Sequence, residues 1–339
     1  MSRYELFDRR RVELWPLAQR GHDLVVADCL PLGPSDPPFE HAELHDLVQR
    51  IVAARRQQRP VILMMGAHAI KPGLSRFLID LIQRKWITLL ATNGAGLVHD
   101  FELASFGGTS ENVARWIQVG QFGLWQETSR LNEVARQAAA AGEGLGEAAG
   151  RILACQPAPH AAVSVAAAAW RAGVPMTVHV GIGCDIVHAH PNCDGAAWGA
   201  ASDTDFLIFA RAVEDLPGGV FINFGTAVTG PEVFLKALAM ARNVARQRGD
   251  VPGGFTTAVF DLMDLPENWR EGTPSKQQSR YYYRPWKTIL ARTVAGGGQS
   301  YYFRGDHRKT LPTLWAELAG SKGLSGKLEC MSPLPPGEG

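Results

Sequence analysis

The sequence has no long apolar run, no excess of either charge and no set of paired cysteines. Its apolar stretches stay well short of the roughly 20 residues that span a bilayer, and residues 1–15 lack the apolar stretch of a signal peptide. The 34 basic and 33 acidic side chains give a net charge of +1, which would not hold the chain on nucleic acid or an anionic membrane. These absences predict a cytoplasmic protein with neither nucleic acid nor a membrane as partner.

The 5 cysteines are odd in number and widely separated. That usage argues against a disulfide framework and predicts reduced thiols. Apolar residues make up 46% of the chain and charged residues 20%, which is the balance of a globular protein. The composition therefore predicts a globular chain with a large buried core.

From about residue 60, short apolar runs alternate with segments of helical periodicity. This alternation is typical of β-α-β units around a parallel sheet. Strands are predicted at 61–65, 87–91, 176–180, 220–223, 257–260, 289–294 and 301–304. Helices are predicted at 74–82, 110–118, 129–140, 143–154, 158–172, 206–213, 231–246 and 311–318. The pattern indicates an α/β fold, a Rossmann-like parallel sheet with helices on both faces.

Some regions depart from this alternation. Residues 1–45 are predicted to be an N-terminal extension, residues 46–320 one α/β domain, and residues 321–339, rich in Gly and Pro, a disordered tail. Residues 262–284 form a long polar loop, and loops of that length inside a compact domain are usually functional or disordered. Ser202 and Asp205 match a capping box that would start the helix at 206.

A glycine-containing turn follows the second predicted strand. Thr92-Asn93-Gly94-Ala95-Gly96 lies at the carboxyl end of that strand, where open parallel sheets bind ligands. Glycines there let backbone N–H groups approach a phosphate or a nicotinamide. The turn lacks the third glycine of the dinucleotide fingerprint, so a plain strand-to-helix turn is the alternative.

Several loops, in the same order along the chain, resemble those of deoxyhypusine synthases. Residues 66–74, 77–82 and 87–100 look like the cofactor-binding half of that family, and the similarity continues more loosely to about residue 318. The resemblance implies an NAD-binding catalytic domain over residues 46–320, and a homotetramer built as a dimer of dimers. It assigns the cofactor to residues at the strand ends: Gly66, Ala67, His68, Thr92, Asn93, Gly94, Asp100, Gly225, Thr226 and Asp306.

The family uses NAD to take hydride from an amine carbon of a polyamine, and it captures the imine on a lysine. Lys287, preceded by Trp286, is similar to the family's Trp-containing lysine motif, and Asp185 is similar to its active-site aspartate. The resemblance therefore implies an NAD-dependent transferase that acts on a small amine through a Schiff base. A surface lysine at the start of a strand is the alternative for Lys287.

Two stretches depart from the family's pattern. Glu232 stands where the family has paired histidines, and His188 and His190 stand near its second aspartate. We expect Glu232 to supply negative charge for a cationic substrate, and His188 or His190 to act as a general base near pH 7. These changes favour aminobutyl transfer between polyamines, of the homospermidine synthase type, over deoxyhypusine formation.

Three other hypotheses stay open. An NAD-dependent ornithine cyclodeaminase is similar in fold, and His99-Asp100-Phe101 favours it because the corresponding loop has a small-residue turn followed by His-Asp. A catalytically silent NAD-binding protein is the second. A zinc protein is the third, although the cysteine and histidine spacing matches no common signature and we predict no metal site. The residues that would supply a zinc site are His179, Cys184, Asp185, His188, His190, Cys193 and Asp194.

Overall fold

A computed structural model describes residues 2–250 and 253–321, so the predicted disordered tail lies outside the described residues from 322 onwards. The strands are β1 (Leu24–Val25), β2 (Val61–Met65), β3 (Leu89–Asn93), β4 (Gly108–Thr109), β5 (Met176–His179), β6 (Val220–Phe224), β7 (Thr256–Asp261) and β8 (Gln299–Arg304). The α-helices are α1 (Leu44–Arg56), α2 (Ser75–Gln83), α3 (Gly94–Phe106), α4 (Val113–Gln118), α5 (Arg130–Ala141), α6 (Leu145–Cys155), α7 (Val165–Arg171), α8 (Gly195–Glu214), α9 (Thr229–Gln247) and α10 (His307–Gly320). A π-helix spans Pro285–Arg292.

Six strands form one sheet in the order β5-β3-β2-β6-β7-β8, and every pairing in it is parallel. β1 and β4 pair separately as a short antiparallel ribbon. From β2 the chain moves outward through β3 to β5, then returns to the other side of β2 with β6 and continues to β7 and β8. This is the strand order of a doubly wound dinucleotide-binding fold, so the predicted Rossmann-like α/β class is confirmed.

Helices cover both faces of the sheet. On one face α1, α2 and α10 pack around Val61, Leu63 and Met65. On the other face α9 and the π-helix pack around Ile62 and Met64. Successive side chains of a strand point to opposite faces, so a strand that is covered on both faces is apolar throughout. This burial explains why β2 consists of five apolar residues without alternation.

The carboxyl ends of the six parallel strands lie at one edge of the sheet. Met65 is in register with Thr92 on one side and with Phe224 on the other, so the turns after β2, β3 and β6 leave the sheet side by side. A Cβ on Gly66 would lie 2.6 Å from the carbonyl oxygen of Gly225, and therefore only glycine fits at position 66. The crevice between β2 and β6 is the switch point at which such folds bind ligands.

Six of the seven predicted strands are present, each within about two residues of its expected ends. The seventh, at 289–294, is wrong, because residues 285–292 form the π-helix that returns the chain from β7 to β8. Thr257 donates a hydrogen bond to the carbonyl of Ile289 at 3.2 Å, which holds this helix across the start of β7. Parallel neighbours need such a crossover, and Ile289 and Leu290 form its buried side.

The capping box predicted at Ser202 and Asp205 is wrong. α8 begins at Gly195, and Asp194 caps its first backbone N–H groups. Ser202 donates to the carbonyl of Val178 at 2.8 Å, and Asp205 accepts from the N–H of the same residue at 2.9 Å. Both side chains therefore bind the backbone of β5 from the middle of a helix, which a local cap motif does not reveal.

The segment ahead of α1 packs onto the rest of the domain. β1 pairs with β4, and Trp15 forms a parallel bridge with Trp125. The side chain of Arg20 is only 1% exposed and pairs with Glu102. The first 45 residues thus contribute buried contacts to the same body as the sheet. Among the described residues, the helices are all too short or too polar to cross a membrane.

Candidate functional site

A cavity of about 220 Å³ lies at the carboxyl edge of the sheet. It is bounded by the turn after β2, by the first half of α3 and by the loop after β5, with a wall supplied by the N-terminal segment and residues 110–122. Its polar lining consists of Arg20, Lys71, His99, Glu102, Ser110, Glu111, Cys184 and Asp185. Charges of both signs therefore meet in a space of small-molecule size.

Asp185 lies against the start of α3. Its carboxylate accepts a hydrogen bond from the N–H of Ala95, where the helix dipole favours a negative charge. A Cβ on Gly94 would overlap the Asp185 carboxylate, so the close approach requires glycine at position 94. Burial nevertheless raises the pKa of Asp185 to about 6. The side chain can therefore exchange a proton close to neutral pH.

His188 holds the loop that carries Asp185. Its Nδ1 accepts hydrogen bonds from the backbone N–H groups of Gly183 and Asp185, both at 3.2 Å. Burial lowers the pKa of His188, so the neutral ring that these bonds require is favoured. The histidine does not line the cavity, and its assignment as a general base stays a prediction.

His190 is also committed to the protein interior. It is fully buried, and its Nε2 donates to the carbonyl of Gly123 at 2.6 Å. Burial lowers its pKa. It therefore supports the wall formed by residues 121–125 and does not line the cavity, and its assignment as a general base stays a prediction.

Glu102 and Arg20 form a bidentate ion pair behind the cavity, at 3.0 and 2.9 Å. The same carboxylate accepts from the hydroxyls of Thr109 and Thr128, both at 2.6 Å. Burial opposes ionisation of Glu102, but the Arg20 charge and these hydrogen bonds outweigh it and hold the pKa of Glu102 below its usual value. Glu102 is therefore a fixed, buried negative charge.

His99 lies one turn before Glu102 on α3 and faces the cavity. Its Nδ1 is 2.8 Å from the hydroxyl oxygen of Thr109. Burial, aided by the positive charges of Lys71 and Arg20, lowers the pKa of His99 to about 4, against a smaller opposing effect of Glu102. The imidazole is therefore neutral at physiological pH.

Lys71 and Glu111 give the cavity further charge. Lys71 follows β2, and the described part of the chain gives it no ion-pair partner. One oxygen of Glu111 accepts from the Gly123 N–H at 3.1 Å and the Trp125 indole at 3.0 Å, whereas Oε2 is buried without a hydrogen-bond partner. The cavity thus offers a lysine ammonium together with acidic oxygens.

Several residues that are expected to bind the cofactor form hydrogen bonds to the protein backbone. Asn93 caps α3 by accepting from the Gly96 N–H at 2.9 Å. Thr226 accepts from the Gly230 N–H at 3.0 Å. Asp306 caps α10. Each of these three side chains therefore has a hydrogen-bond partner within the protein.

Asp100, which the resemblance assigns to the cofactor, does not line the cavity. It is fully buried, and it accepts from the Ser164 hydroxyl at 2.7 Å and from the N–H groups of Val165 and Ala166 at 2.6 and 3.1 Å. Burial raises the pKa of Asp100 to about 6 against these hydrogen bonds. Its role is to fasten the start of α7 to α3.

Lys287 and Glu232 lie away from the cavity, on the sheet face covered by α9 and the π-helix. Lys287 is 5% exposed, and its ammonium stands 3.5 Å from the centre of the Tyr281 ring. Glu232 pairs with Lys236 and Arg284 near the start of α9. Within one chain, therefore, the structure brings neither residue together with Asp185.

The seven residues considered for zinc do not converge. Among the described residues, no group of three His, Cys, Asp or Glu side chains is arranged to hold a metal ion. His179 is bonded to Thr177 and buried, and Asp194 caps α8. Only Cys184 and Asp185 of this set reach the cavity.

The switch point between β2 and β6 is where a doubly wound sheet would hold a nicotinamide dinucleotide. The start of α3 does not suit a phosphate, because the Asp185 carboxylate already faces its N–H groups. At the crevice between β2 and β6, Gly66 packs against Gly225, and their N–H groups donate to the carbonyls of Phe224 and Phe260, while His68 beside them is exposed. Thr92 Oγ1, on β3 and against Gly96 at the start of α3, is buried without a hydrogen-bond partner. These residues would hold the cofactor, with Ala67 buried beneath them.

Sequence comparison finds no relative. The chain matches no family model, and no curated protein is similar to it. Solved structures are similar at low scores. The arginine dihydrolase ArgZ from the ornithine-ammonia cycle in cyanobacteria is 14% identical, with a TM-score of 0.47 over 82% of this chain and 33% of ArgZ. AgrE in complex with ornithine and NAD+ is 12% identical, with a TM-score of 0.46 over 83% of this chain and 34% of AgrE.

A protein assigned as a deoxyhypusine synthase from Entamoeba histolytica is 9% identical, with a TM-score of 0.46 over 85% of this chain and 91% of that one. This chain therefore spans about a third of the length of ArgZ and AgrE. Likeness at this level does not assign an activity.

Proposed function

We propose that the protein is an NAD-linked enzyme that acts on the amine-bearing carbon of a small amino acid bound in the cavity. The observation that carries this proposal is the mixed charge of the cavity, where Lys71 stands with Glu111 and Asp185 at the carboxyl edge of a doubly wound sheet. Ligands of such sheets bind at this edge.

The size of the cavity limits the substrate. Pockets for drug-sized ligands range from about 300 to 1,000 Å³, whereas this one has about 220 Å³. A whole dinucleotide is too large for it. A molecule of amino-acid size suits it, and the dinucleotide would extend over the neighbouring crevice at Gly66 and Gly225.

The charges select among amines. Lys71 would bind a carboxylate, and the acidic oxygens of Glu111 and Asp185 would accept from an ammonium group. A polyamine carries only positive charges, so Lys71 would repel it. The cavity therefore favours an amino acid over a polyamine, and a substrate with both groups over a simple amine.

Bound NAD would supply the acceptor for hydride from the carbon next to the amine. The protein must first hold that amine in its neutral form, because an ammonium has no lone pair to support loss of hydride. Water would then add to the imine carbon and ammonia would leave, as in a deaminating enzyme, so that a keto acid, ammonia and reduced cofactor are formed. The position of Lys287 outside the cavity favours water over a lysine as the group that resolves it.

The test combines purified protein with NAD and separate panels of amino acids and polyamines, with reduced-nicotinamide absorbance and ammonia release as readouts. We expect turnover with amino acids and none with polyamines. Lys71→Met should raise KM for the amino acid at least about tenfold, since a hydrogen bond to a charged group contributes about 1.5–3 kcal/mol. Lys309→Met, at an exposed position outside the cavity, is the matched control. Turnover of polyamines alone, or no binding of NAD, would overturn the proposal.

The aminobutyl transferase is the second candidate, because Lys287 is a buried lysine in a motif similar to that of deoxyhypusine synthases. Borohydride treatment during turnover distinguishes the two. A transferase would be trapped with substrate on Lys287, and Lys287→Met would abolish both trapping and turnover. Our proposal predicts full turnover in that variant. A protein that binds NAD tightly and changes no amine would be the silent alternative.

A further inference from the structure

We infer that Thr109 and Glu102 fix His99 as the tautomer with its proton on Nδ1, so that an unprotonated Nε2 serves as the base of the cavity. The identity of the group that gives its proton to His99, a substrate ammonium, rests on the proposed function. The tautomer of the imidazole does not. It adds a base that neither His188 nor His190 can supply.

The hydrogen-bond inventory determines the tautomer. Glu102 is ionised and can only accept, and its Oε2 is 2.6 Å from the Thr109 hydroxyl. The Thr109 hydroxyl has only one proton, and it donates this proton to Glu102. The contact of 2.8 Å between Thr109 and His99 Nδ1 must therefore be donated by the imidazole. The ring is neutral, so Nε2 carries the lone pair.

The free nitrogen belongs to the cavity. His99 lines it beside Lys71 and Asp185, and within the described part of the chain Nε2 has no hydrogen-bond partner. The charged or titratable groups that act on the ring are Glu102, Lys71, Arg20 and His68. A substrate ammonium held by the acidic oxygens would be the positive group next to this lone pair.

The groups behind His99 are buried and hydrogen-bonded to one another. Arg20 and Glu102 are each 1% exposed, and Thr128 adds a further hydrogen bond at 2.6 Å. Ser110, directly after Thr109, has a φ of +65°, a left-handed conformation that is costly for a residue other than glycine. Such strain persists where the surroundings over-determine the backbone. The left-handed conformation of Ser110 turns the chain so that Thr109 contacts His99 and Glu111 lines the cavity.

The proton transfer balances without a further reactant. It requires the substrate to raise the pKa of His99, which burial and the Lys71 charge lower to about 4, and a substrate carboxylate bound to Lys71 would offset that charge. An N–H bond of the substrate ammonium breaks, and an Nε2–H bond forms on His99. The substrate keeps the electron pair as a neutral amine, and the imidazolium keeps its Nδ1–H bond to Thr109. Glu102 stabilises the new charge through that hydroxyl, as a carboxylate behind a histidine does in hydrolase triads. The proton later leaves to water.

The state of the ring can be measured without substrate or NAD. In protein labelled with 15N-histidine, the signals that His99→Gln removes belong to His99. We expect Nε2 to have the shift of an unprotonated nitrogen in the wild type and in Thr109→Ser, and an averaged shift in Thr109→Val. A protonated Nε2 in the wild type would overturn the inference even if the enzyme were active.

Kinetics test the role of the base. His99→Gln should lower kcat by about 100-fold or more, the usual contribution of a general base. Thr109→Val should lower kcat with little change in KM, and Thr109→Ser should restore it. An unchanged kcat in His99→Gln would overturn the role. If the wild type shows the expected tautomer and no amine is turned over, the proposed function fails and the assignment of the ring stands.

Discussion

The ion pair of Arg20 with Glu102 is the single interaction on which the cavity wall depends most. Arg20→Met would leave Glu102 buried without its partner, and breaking a buried pair costs about 3–5 kcal/mol. We expect a loss of that size in the free energy of unfolding measured with urea. The double variant Arg20→Met, Glu102→Leu should recover part of it, because the Glu102 charge is removed with its partner, whereas Glu111, 3.9 Å from Arg20, loses that cation. A loss below about 1 kcal/mol in the single variant would contradict this view.

Asp205 should make stability depend on pH in an unusual direction. Burial raises its pKa to about 7, although the backbone N–H groups of Val178 and Gly146 oppose the shift. The unfolded chain titrates near pH 4. Between about pH 4 and pH 7 the folded state therefore binds more protons, and the contribution of Asp205 to stability falls as the pH rises.

Asp205→Asn removes this titration. Its stability relative to the wild type should increase across that window by up to about 1.4 kcal/mol per pH unit. Urea unfolding of both proteins at several pH values measures the difference, which cancels the other titrating groups. A difference that stays constant with pH would show that Asp205 does not titrate there.

Single side chains at the site were predictable only where the signal is local. Asp185 follows a strand and resembles a family motif, so the sequence leads to it. Glu102 is a carboxylate in a largely apolar helix, and such a residue in a sequence indicates a buried charge. The contact of Thr109 with His99 depends on a β-ribbon formed with residues of the N-terminal segment, and no local pattern encodes it.

At the level of elements, Asp306 caps α10, and the family resemblance also gives it a role in cofactor binding. Substitutions at this position separate the two roles. Its side chain accepts from the Arg308 N–H at 2.9 Å. Asp306→Ala should cost about 1 kcal/mol, and Asp306→Asn much less, because asparagine also caps. Thermal unfolding gives the comparison. A matched fall in NAD affinity in both variants would add a cofactor contact to the cap.

Elements with strong periodicity were predictable, and those set by tertiary contacts were not. β2 and α2 have clear patterns and occur where expected. The π-helix was mistaken for a strand because its apolar run is short and has no decisive period. The early start of α8 was missed because Gly195 and the alanines after it carry little hydrophobic signal.

At the scale of the whole molecule, the N-terminal segment should be part of the folding unit. Removal of residues 2–23 takes away Arg20 and the support of the cavity wall, so it should destabilise the protein at least as much as Arg20→Met. Removal of residues 2–7, which are exposed, is the control and should have little effect. Urea unfolding of both truncated chains tests this, and equal stability would show that the segment is dispensable.

The sheet topology was predictable as a class because alternating strands and helices permit few arrangements. The exact shape of the cavity was not, because it is closed by segments far apart in the chain.

Arg20 precedes Glu102 by 82 residues in the chain. β2 is also synthesised well before β6, its partner at the centre of the sheet. During synthesis on the ribosome, the cation of the buried pair emerges long before its acid. The cavity can close only after Asp185 and then β6 have left the exit tunnel, so ligand binding by nascent chains should begin late in translation.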